Sequence, residues 1–307
     1  MRNAFAKELE QLAAEDPRVV LLMGDIGNRL FDGFKNRFPD RFYNCGVAEA
    51  NMMSVAAGLG LCGLRPVVYT ITPFVTTRCL EQIRVDVCYH RTPVVIVGVG
   101  GGLSYASLGP THQSCEDIAF LRVLPHIKVV CPGDAVEVRL LLRCALAQDD
   151  PVYLRLGKKG EPVVHEVEPH LQIGRGMVLQ TGRDAMLLST GNLLPTAAAV
   201  ARELAARGIS TGLVSWHTVK PLDDELLQEM AATTRWLVTL EEHSVLGGLG
   251  GTIAEWLTTH GPFPVRLLRI GTPDEFYHAG GGQNDARRHL GLDVESLVSR
   301  IAASVCE

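Results

Sequence analysis

Runs of consecutive apolar residues, rich in Val and Ile, alternate along the chain with segments whose apolar positions recur at helical spacing. The runs at Val19–Met23, Val67–Ile71, Val94–Val99, Ile127–Val130 and Val152–Leu156 predict strands buried on both faces, the condition of a parallel sheet covered by crossover helices. Helices are expected near residues 48–62, 76–90, 114–122 and 134–147, the last opened by Asp134 as N-cap. A polar connector with two prolines follows, from about Lys158 to Gln172. Beyond it the alternation resumes, with strands near Ala185–Leu188, Ser210–Ser215, Trp236–Glu241 and Val265–Ile270 and an alanine-rich helix near 195–207. The expectation is an α/β protein in two units: a parallel-sheet domain over residues 1–160, a linker at 161–173, and a smaller α/β domain over 174–307. There is no internal repeat and no low-complexity tract.

In open α/β sheets the chemistry gathers at the carboxyl ends of the strands. Gly24-Asp25-Ile26-Gly27 follows the first strand, Thr72-Pro73-Phe74 the second and a glycine-rich loop the third, while Arg155 closes the fifth. Glu49 stands at the start of an apolar helix, where an acid facing the orphan amides is worth roughly 0.3 to 1 kcal/mol as a cap. Alone it reads equally as a cap or as a chemical tool. The same duality holds for Asp25 (turn or site), Phe74 (core or site wall), Arg155 (ion pair or anion holder) and Arg78 (site edge or subunit contact).

At 307 residues and 47% hydrophobic, the chain can build sizeable cores, in about two domains. A net charge of −5 gives no basic footprint for nucleic acid. No apolar run approaches the ~20 residues that cross a bilayer. The start, Met1 to Glu10, is charged throughout and lacks the apolar core of a signal peptide. Eight cysteines without a CxxC pair read as core residues of a reducing cytoplasm, with neither a zinc site nor a disulfide framework. A cytoplasmic protein without a metal ligand set of its own is expected.

Two segments together carry a resemblance. Gly46-Val47-Ala48-Glu49-Ala50-Asn51 and Gly109-Pro110-Thr111-His112-Gln113 resemble the pyrimidine-binding domain of the transketolase family, the thiamine diphosphate enzymes that include 1-deoxyxylulose-5-phosphate synthase. Lys220-Pro221-Leu222-Asp223 and the stretch Leu240–Gly251 are similar to the family's C-terminal domain, which serves assembly. The resemblance covers nearly the whole chain and is specific at Glu49 and the THQ loop. It implies that Glu49 contacts N1′ of the cofactor's aminopyrimidine and that Phe74 packs on that ring, with Asp25 and Arg78 also cofactor-binding. It implies a catalytic and substrate-binding role for His112, and substrate phosphate near Arg155 and Arg29. A carboxylic acid donating to N1′ in a dry site favours the imino tautomer, whose nitrogen can take the proton from C2 of the thiazolium. The cofactor then serves as electron sink while a two-carbon ketol unit moves from a ketose to an aldehyde.

The departures from the family pattern are informative. The family holds the diphosphate through Mg²⁺ on a G-D-G motif and an asparagine about 30 residues on, because a hard cation needs oxygen ligands. Here the third glycine is Ile26, and Asn51 shares a helix with Glu49. The Mg²⁺ and diphosphate site is therefore expected on a partner, an N-terminal transketolase subunit, in an α2β2 assembly with self-dimerisation. Leu108 replaces the acid that transketolases place before the THQ loop, Gly100 and Gly101 replace a histidine and an arginine, and Arg29 replaces a serine. Donor and acceptor, a sugar or sugar phosphate, stay open. So do three alternatives: the β subunit of a 2-oxo acid dehydrogenase, a deoxyxylulose phosphate synthase-like enzyme, and a non-catalytic scaffold. His243 reads as structural, the glycines at 247–251 as close packing at a subunit contact, and Gly280–Asp285 as a mobile loop.

Overall fold

The computed structural model describes residues 1–27, 29–158 and 160–306. Lys159, inside the expected connector, and Glu307, at the end of the expected second unit, lie outside the described residues. The strands are β1 (Val19–Met23), β2 (Phe42–Asn44), β3 (Arg65–Ile71), β4 (Val95–Val99), β5 (Lys128–Val130), β6 (Val152–Leu156), β7 (Met177–Gln180), β8 (Ala185–Thr190), β9 (Thr211–Ser215), β10 (Thr218–Lys220), β11 (Trp236–Ser244) and β12 (Arg266–Thr272). They form a seven-stranded sheet in the order β10-β5-β6-β4-β3-β1-β2 and a five-stranded sheet in the order β12-β11-β8-β9-β7. All pairings are parallel except those of the edge strands β10 and β7, which run antiparallel to β5 and β9.

The continuous apolar runs become strands because both faces are buried. In β1, Val20 and Leu22 point to one core and Val19, Leu21 and Met23 to another. The second core lies under helices Arg2–Glu15 and Ala135–Leu146, with Phe5, Leu9, Leu141 and Leu142 fully buried. The first core runs without interruption into the second unit, joining Met52, Met53 and Ile83 to Leu188, Val214, Trp216 and Trp256. A third core fills the outer face of the five-stranded sheet under helices Leu194–Ala206 and Val294–Val305. Asp134 caps its helix as expected, accepting from the amides of Val136 at 2.8 Å and Glu137 at 2.9 Å.

Several elements depart from expectation. The charged N-terminal stretch is a helix, because Phe5, Ala6, Leu9 and Ala13 share one buried face. The single helix expected at 76–90 is broken: a turn at Thr72–Val75 ends where the Thr76 hydroxyl donates to the Thr72 carbonyl at 2.7 Å, and the seven residues Ile83–Tyr89 are π-helical. Residues 114–122 are helical only from Asp117. Most consequentially, β10 belongs to the first sheet although it lies far beyond the connector, and the two units share a sheet as well as a core. Among the described residues, no helix is long and apolar enough to cross a membrane.

Candidate active site

Glu49 is the first residue of helix Glu49–Leu61 and caps nothing: the N-cap position, Ala48, makes no side-chain bond, and the glutamate is 4% exposed. Its Oε2 accepts from Arg78 Nη1 at 2.8 Å, and its Oε1 faces Gly24 at the end of β1, where an added Cβ would lie 3.6 Å away. The Arg78 guanidinium also lies over the Phe74 ring, 4.2 Å from its centroid. Phe74 meets the His112 ring edge-on at 5.2 Å, and His112 meets Tyr105 at 6.3 Å. Thus Glu49, the Phe74–Arg78 pair and His112, from three separate segments of the chain, form one contiguous wall at the carboxyl ends of β1, β3 and β4. Thr111 Oγ1 lies 2.9 Å from His112 Nδ1 and orients the ring. Beneath the wall, Thr70 and Thr72 are fully buried and their hydroxyls have no partner among the described residues.

The glycine-rich loop after β4 shows why glycine is required there. Gly100 has φ +83°, and a Cβ on it would run into the Tyr105 ring. Gly102 has φ +66° and lies against Glu242 of β11. Asp25 is an exposed lip residue: its Oδ1 accepts from Asn44 Nδ2 at 3.1 Å and its amide donates to Gly46 O at 3.3 Å, on the segment leading to Glu49. Leu108 is 52% exposed in the turn before the THQ loop.

Arg155 ends β6 at the expected face, is 3% exposed, and uses Nε and Nη2 in bonds within the chain. Nε donates to Asp117 Oδ2 at 2.7 Å, and Nη2 donates to Asp117 Oδ1 at 3.1 Å, Ser114 O at 2.9 Å and Glu242 O at 3.0 Å. Asp117 is fully buried and also accepts from Tyr153 Oη at 2.6 Å. Burial, the largest single influence, pushes its carboxyl up, but the charge and hydrogen bonds of Arg155 together with His243 and the Tyr153 hydroxyl outweigh it and hold the carboxyl below the usual range. The arginine neutralises a buried acid and pins the two units together.

Two cations beside Tyr105, Lys158 and Arg2, were not singled out by sequence. Lys158 Nζ lies 4.7 Å from the Tyr105 centroid. Arg2, from the first helix, lies on the hydroxyl side of Tyr105: burial pushes the phenol up and the nearby guanidinium draws it back. Arg2 Nε is buried without a partner among the described residues. Arg2, Lys7 and Arg29 line a cleft of about 650 Å³ together with Glu10, and Arg29 has φ 63°, a left-handed conformation uncommon outside glycine. The available signal was positional, since Lys158 follows a strand end by two residues and Arg2 opens a helix.

In the second unit, His243 is structural. Burial depresses it to about 4, with Nδ1 2.8 Å from Ser244 O and Nε2 accepting from the Ala119 amide at 3.3 Å. Glycines 247–251 pack closely, as expected, but within the chain: Gly247 lies against Ala119, and Glu241 accepts from the Leu249 and Gly250 amides at 2.8 Å each. Burial pushes Glu241 up to about 7. The Gly280–Asp285 run is not simply a loop. Helix Gln283–His289 starts within it, with Asp285 Oδ2 accepting from the Gly282 amide at 2.9 Å.

Comparison with known proteins agrees with this geometry. The transketolase pyrimidine-binding domain family matches residues 1–161, and the transketolase C-terminal domain family matches residues 174–297. One of the subunits of the apulose-4-phosphate transketolase of Phocaeicola vulgatus is 34% identical over 96% of this chain and 94% of that protein. The 6-deoxy-6-sulfo-D-fructose transketolase subunit of a Clostridium species is 35% identical over 100% of this chain and 94% of its own length. A solved structure described as a split-gene transketolase, an inactive β4 tetramer, superposes with a TM-score of 0.89 at 36% identity, covering 99% of this chain and 97% of that one. The chain belongs to the transketolase family, in the pyrimidine-binding plus C-terminal domain arrangement of its split forms.

Proposed function

We propose that this chain is the pyrimidine-binding subunit of a thiamine diphosphate-dependent ketol transferase that is active only with a partner chain. The observation that carries the reading is the buried, non-capping Glu49 carboxylate, bonded to the arginine that lies over the face of Phe74, with His112 against the same ring. The residues fit an aminopyrimidine. A carboxyl group is available for a ring nitrogen, a phenyl face for stacking, and two buried, unpartnered hydroxyls lie close by. Arg78 already makes both contacts that a planar basic ring needs, one to the carboxylate and one to the phenyl face, so it has to yield the Phe74 face when the ring binds.

Thiamine diphosphate, when bound, supplies the electron sink for breaking and forming a carbon–carbon bond beside a carbonyl. Glu49 holds the proton at the pyrimidine nitrogen. His112, oriented by Thr111, is placed to exchange a proton with a substrate hydroxyl or carbonyl oxygen. Tyr105 and Phe74 keep water from the two rings. Arg2, Lys158 and Arg29 would take the anionic end of the sugar. The relatives named above act on a sugar phosphate and a sulfosugar, and both end in an anion that such cations hold. The diphosphate and its Mg²⁺ would sit on the partner, since Gly24-Asp25-Ile26 does not complete the metal motif. An α2β2 assembly follows if this chain also pairs with itself.

Glu49→Gln in the reconstituted complex is the test: turnover falls at least about a hundred-fold, the usual range for losing a positioned acid or base, while assembly and melting temperature are kept. Retained turnover refutes the assignment.

A further inference from the structure

We infer that Glu242 and Arg287, in the second unit, are positioning residues for the substrate-side loop of the active site; this rests on the ketol-transferase reading for its kinetic consequence. Glu242 lies on β11, is 1% exposed and has both carboxylate oxygens occupied. Oε1 accepts from the Leu103 amide at 2.7 Å and from Gln283 Nε2 at 2.9 Å; Oε2 accepts from Gln283 Nε2 at 3.1 Å and forms a close ion pair with Arg287 Nε. Arg287 is held in turn by the Asn192 carbonyl at 3.1 Å. Ser104 closes the network. Its hydroxyl donates to Gly101 O at 2.8 Å and accepts from Asn192 Nδ2 at 3.1 Å.

The target of this network is the loop from Gly100 to Tyr105. Gly102 and Ser114 exchange amide bonds at 2.7 and 2.9 Å, so the glycine-rich loop and the THQ loop move as one piece. That piece carries Tyr105 and His112, and Gln113 Nε2 donates to the Tyr277 carbonyl of the second unit at 3.2 Å. Fixing the Leu103 amide therefore fixes the two rings on the substrate side. Glu49 and Phe74 stand on other elements and do not touch the network. A charged carboxylate in this place does what an apolar contact could not: it gives one directional bond to a loop amide and is itself held by an arginine, so the geometry of both ends is set.

The test uses Glu242→Gln and, as a gentler variant, Arg287→Lys, which keeps the charge but not the planar fork. Hydrogen exchange of the full chain without partner reads the loop directly. In Glu242→Gln, residues 101–115 should lose protection by about ten-fold or more while the helix Glu49–Leu61 changes by less than about two-fold, a local opening and not a global one. Arg287→Lys should fall between wild type and Glu242→Gln. In the complex with the partner chain, thiamine diphosphate affinity should hold within about two-fold while KM for a ketose phosphate such as xylulose 5-phosphate rises about ten-fold. Equal loss of protection across both segments, or unchanged protection of 101–115, overturns the inference. Loosened exchange in 101–115 with wild-type kinetics in the complex keeps the structural link but overturns its role in positioning. A wild-type complex without any ketol transfer refutes the functional reading and leaves the exchange result to stand or fall alone.

Discussion

Replacing Arg155 with methionine separates the structural account of that residue from the phosphate-binding role its sequence position suggests. The substitution keeps the apolar stem and deletes the guanidinium, so Asp117, fully buried, loses its counter-charge and keeps only the Tyr153 hydroxyl. Ser114 O and Glu242 O lose a donor as well. Breaking a buried pair on one side costs about 3 to 5 kcal/mol. At about 2 to 4 °C per kcal/mol for a domain of 150–250 residues, the melting temperature should fall by roughly 6 to 20 °C. The loss should narrow in acid. Asp117 is held below its usual range in the wild type, so its contribution is present above the unfolded value of 3.8 and lost as pH falls through the lower folded value. Asp117→Leu combined with Arg155→Met should recover part of the loss, because an apolar pair is often as stable as the buried ion pair it replaces. The assay is thermal unfolding at two protein concentrations, with KM measured on the same preparations. A melting temperature within about 2 °C of wild type together with a KM raised ten-fold or more would refute the reasoning, since a contact that only binds substrate leaves stability alone.

Lys158→Ala and Arg2→Ala should each raise KM for a phosphorylated or sulfonated donor by roughly ten-fold, with cofactor affinity kept, because each removes one charge from the anion's end of the site; unchanged KM in both places the anion elsewhere. Leu108→Asp, at a position 52% exposed, should leave melting unchanged and shift acceptor preference toward 2-hydroxyaldehydes if the new carboxylate reaches the hydroxyl; an unaltered acceptor spectrum counts against it. His165 Nε2 lies 2.7 Å from Glu137 Oε1; burial pushes the imidazole down, but the glutamate's hydrogen bond and charge outweigh it and raise it above 6.5. Its contribution is therefore complete below 6.5 and lost as pH rises through the folded value, so the stability gap between wild type and His165→Gln should be widest in mild acid and shrink in alkali; a gap independent of pH shows that the pair carries no charge.

How much was legible depended on whether a signal was local. The buried strands read directly because both faces are covered, and β1 divides its five residues between two cores as a continuous apolar run requires. The Arg2–Glu15 helix was hidden because its apolar positions are diluted by charges, and β10 because three residues carry no periodicity and pair with a sheet formed some 90 residues earlier, as the Thr218 to Val130 partnership shows. Glu49 and His112 stood out through motifs and Phe74 through its place after a strand, and their convergence on one wall is what the fold adds. The pairing of Arg155 was not legible because its partner Asp117 lies 38 residues away in sequence, and nothing local distinguishes a paired arginine from a free one. Lys158 and Arg2 looked like ordinary solvated charges, and only the fold carries both to Tyr105. The Gly280–Asp285 run suggested mobility, whereas Gln283 within it is held by the Glu242 carboxylate across the molecule.

The central claim is that this chain supplies the pyrimidine half of a composite site. The most direct measurement is ketol transfer as a partner chain with the G-D-G and asparagine motif is titrated into a fixed amount of this chain, with thiamine diphosphate and Mg²⁺ in excess. The rate should be absent for either chain alone, rise with added partner and level off at one partner per chain, and Glu49→Gln should abolish the rise without changing the stoichiometry of assembly. Turnover by this chain after rigorous purification, or a full rate in the Glu49→Gln complex, would contradict the account.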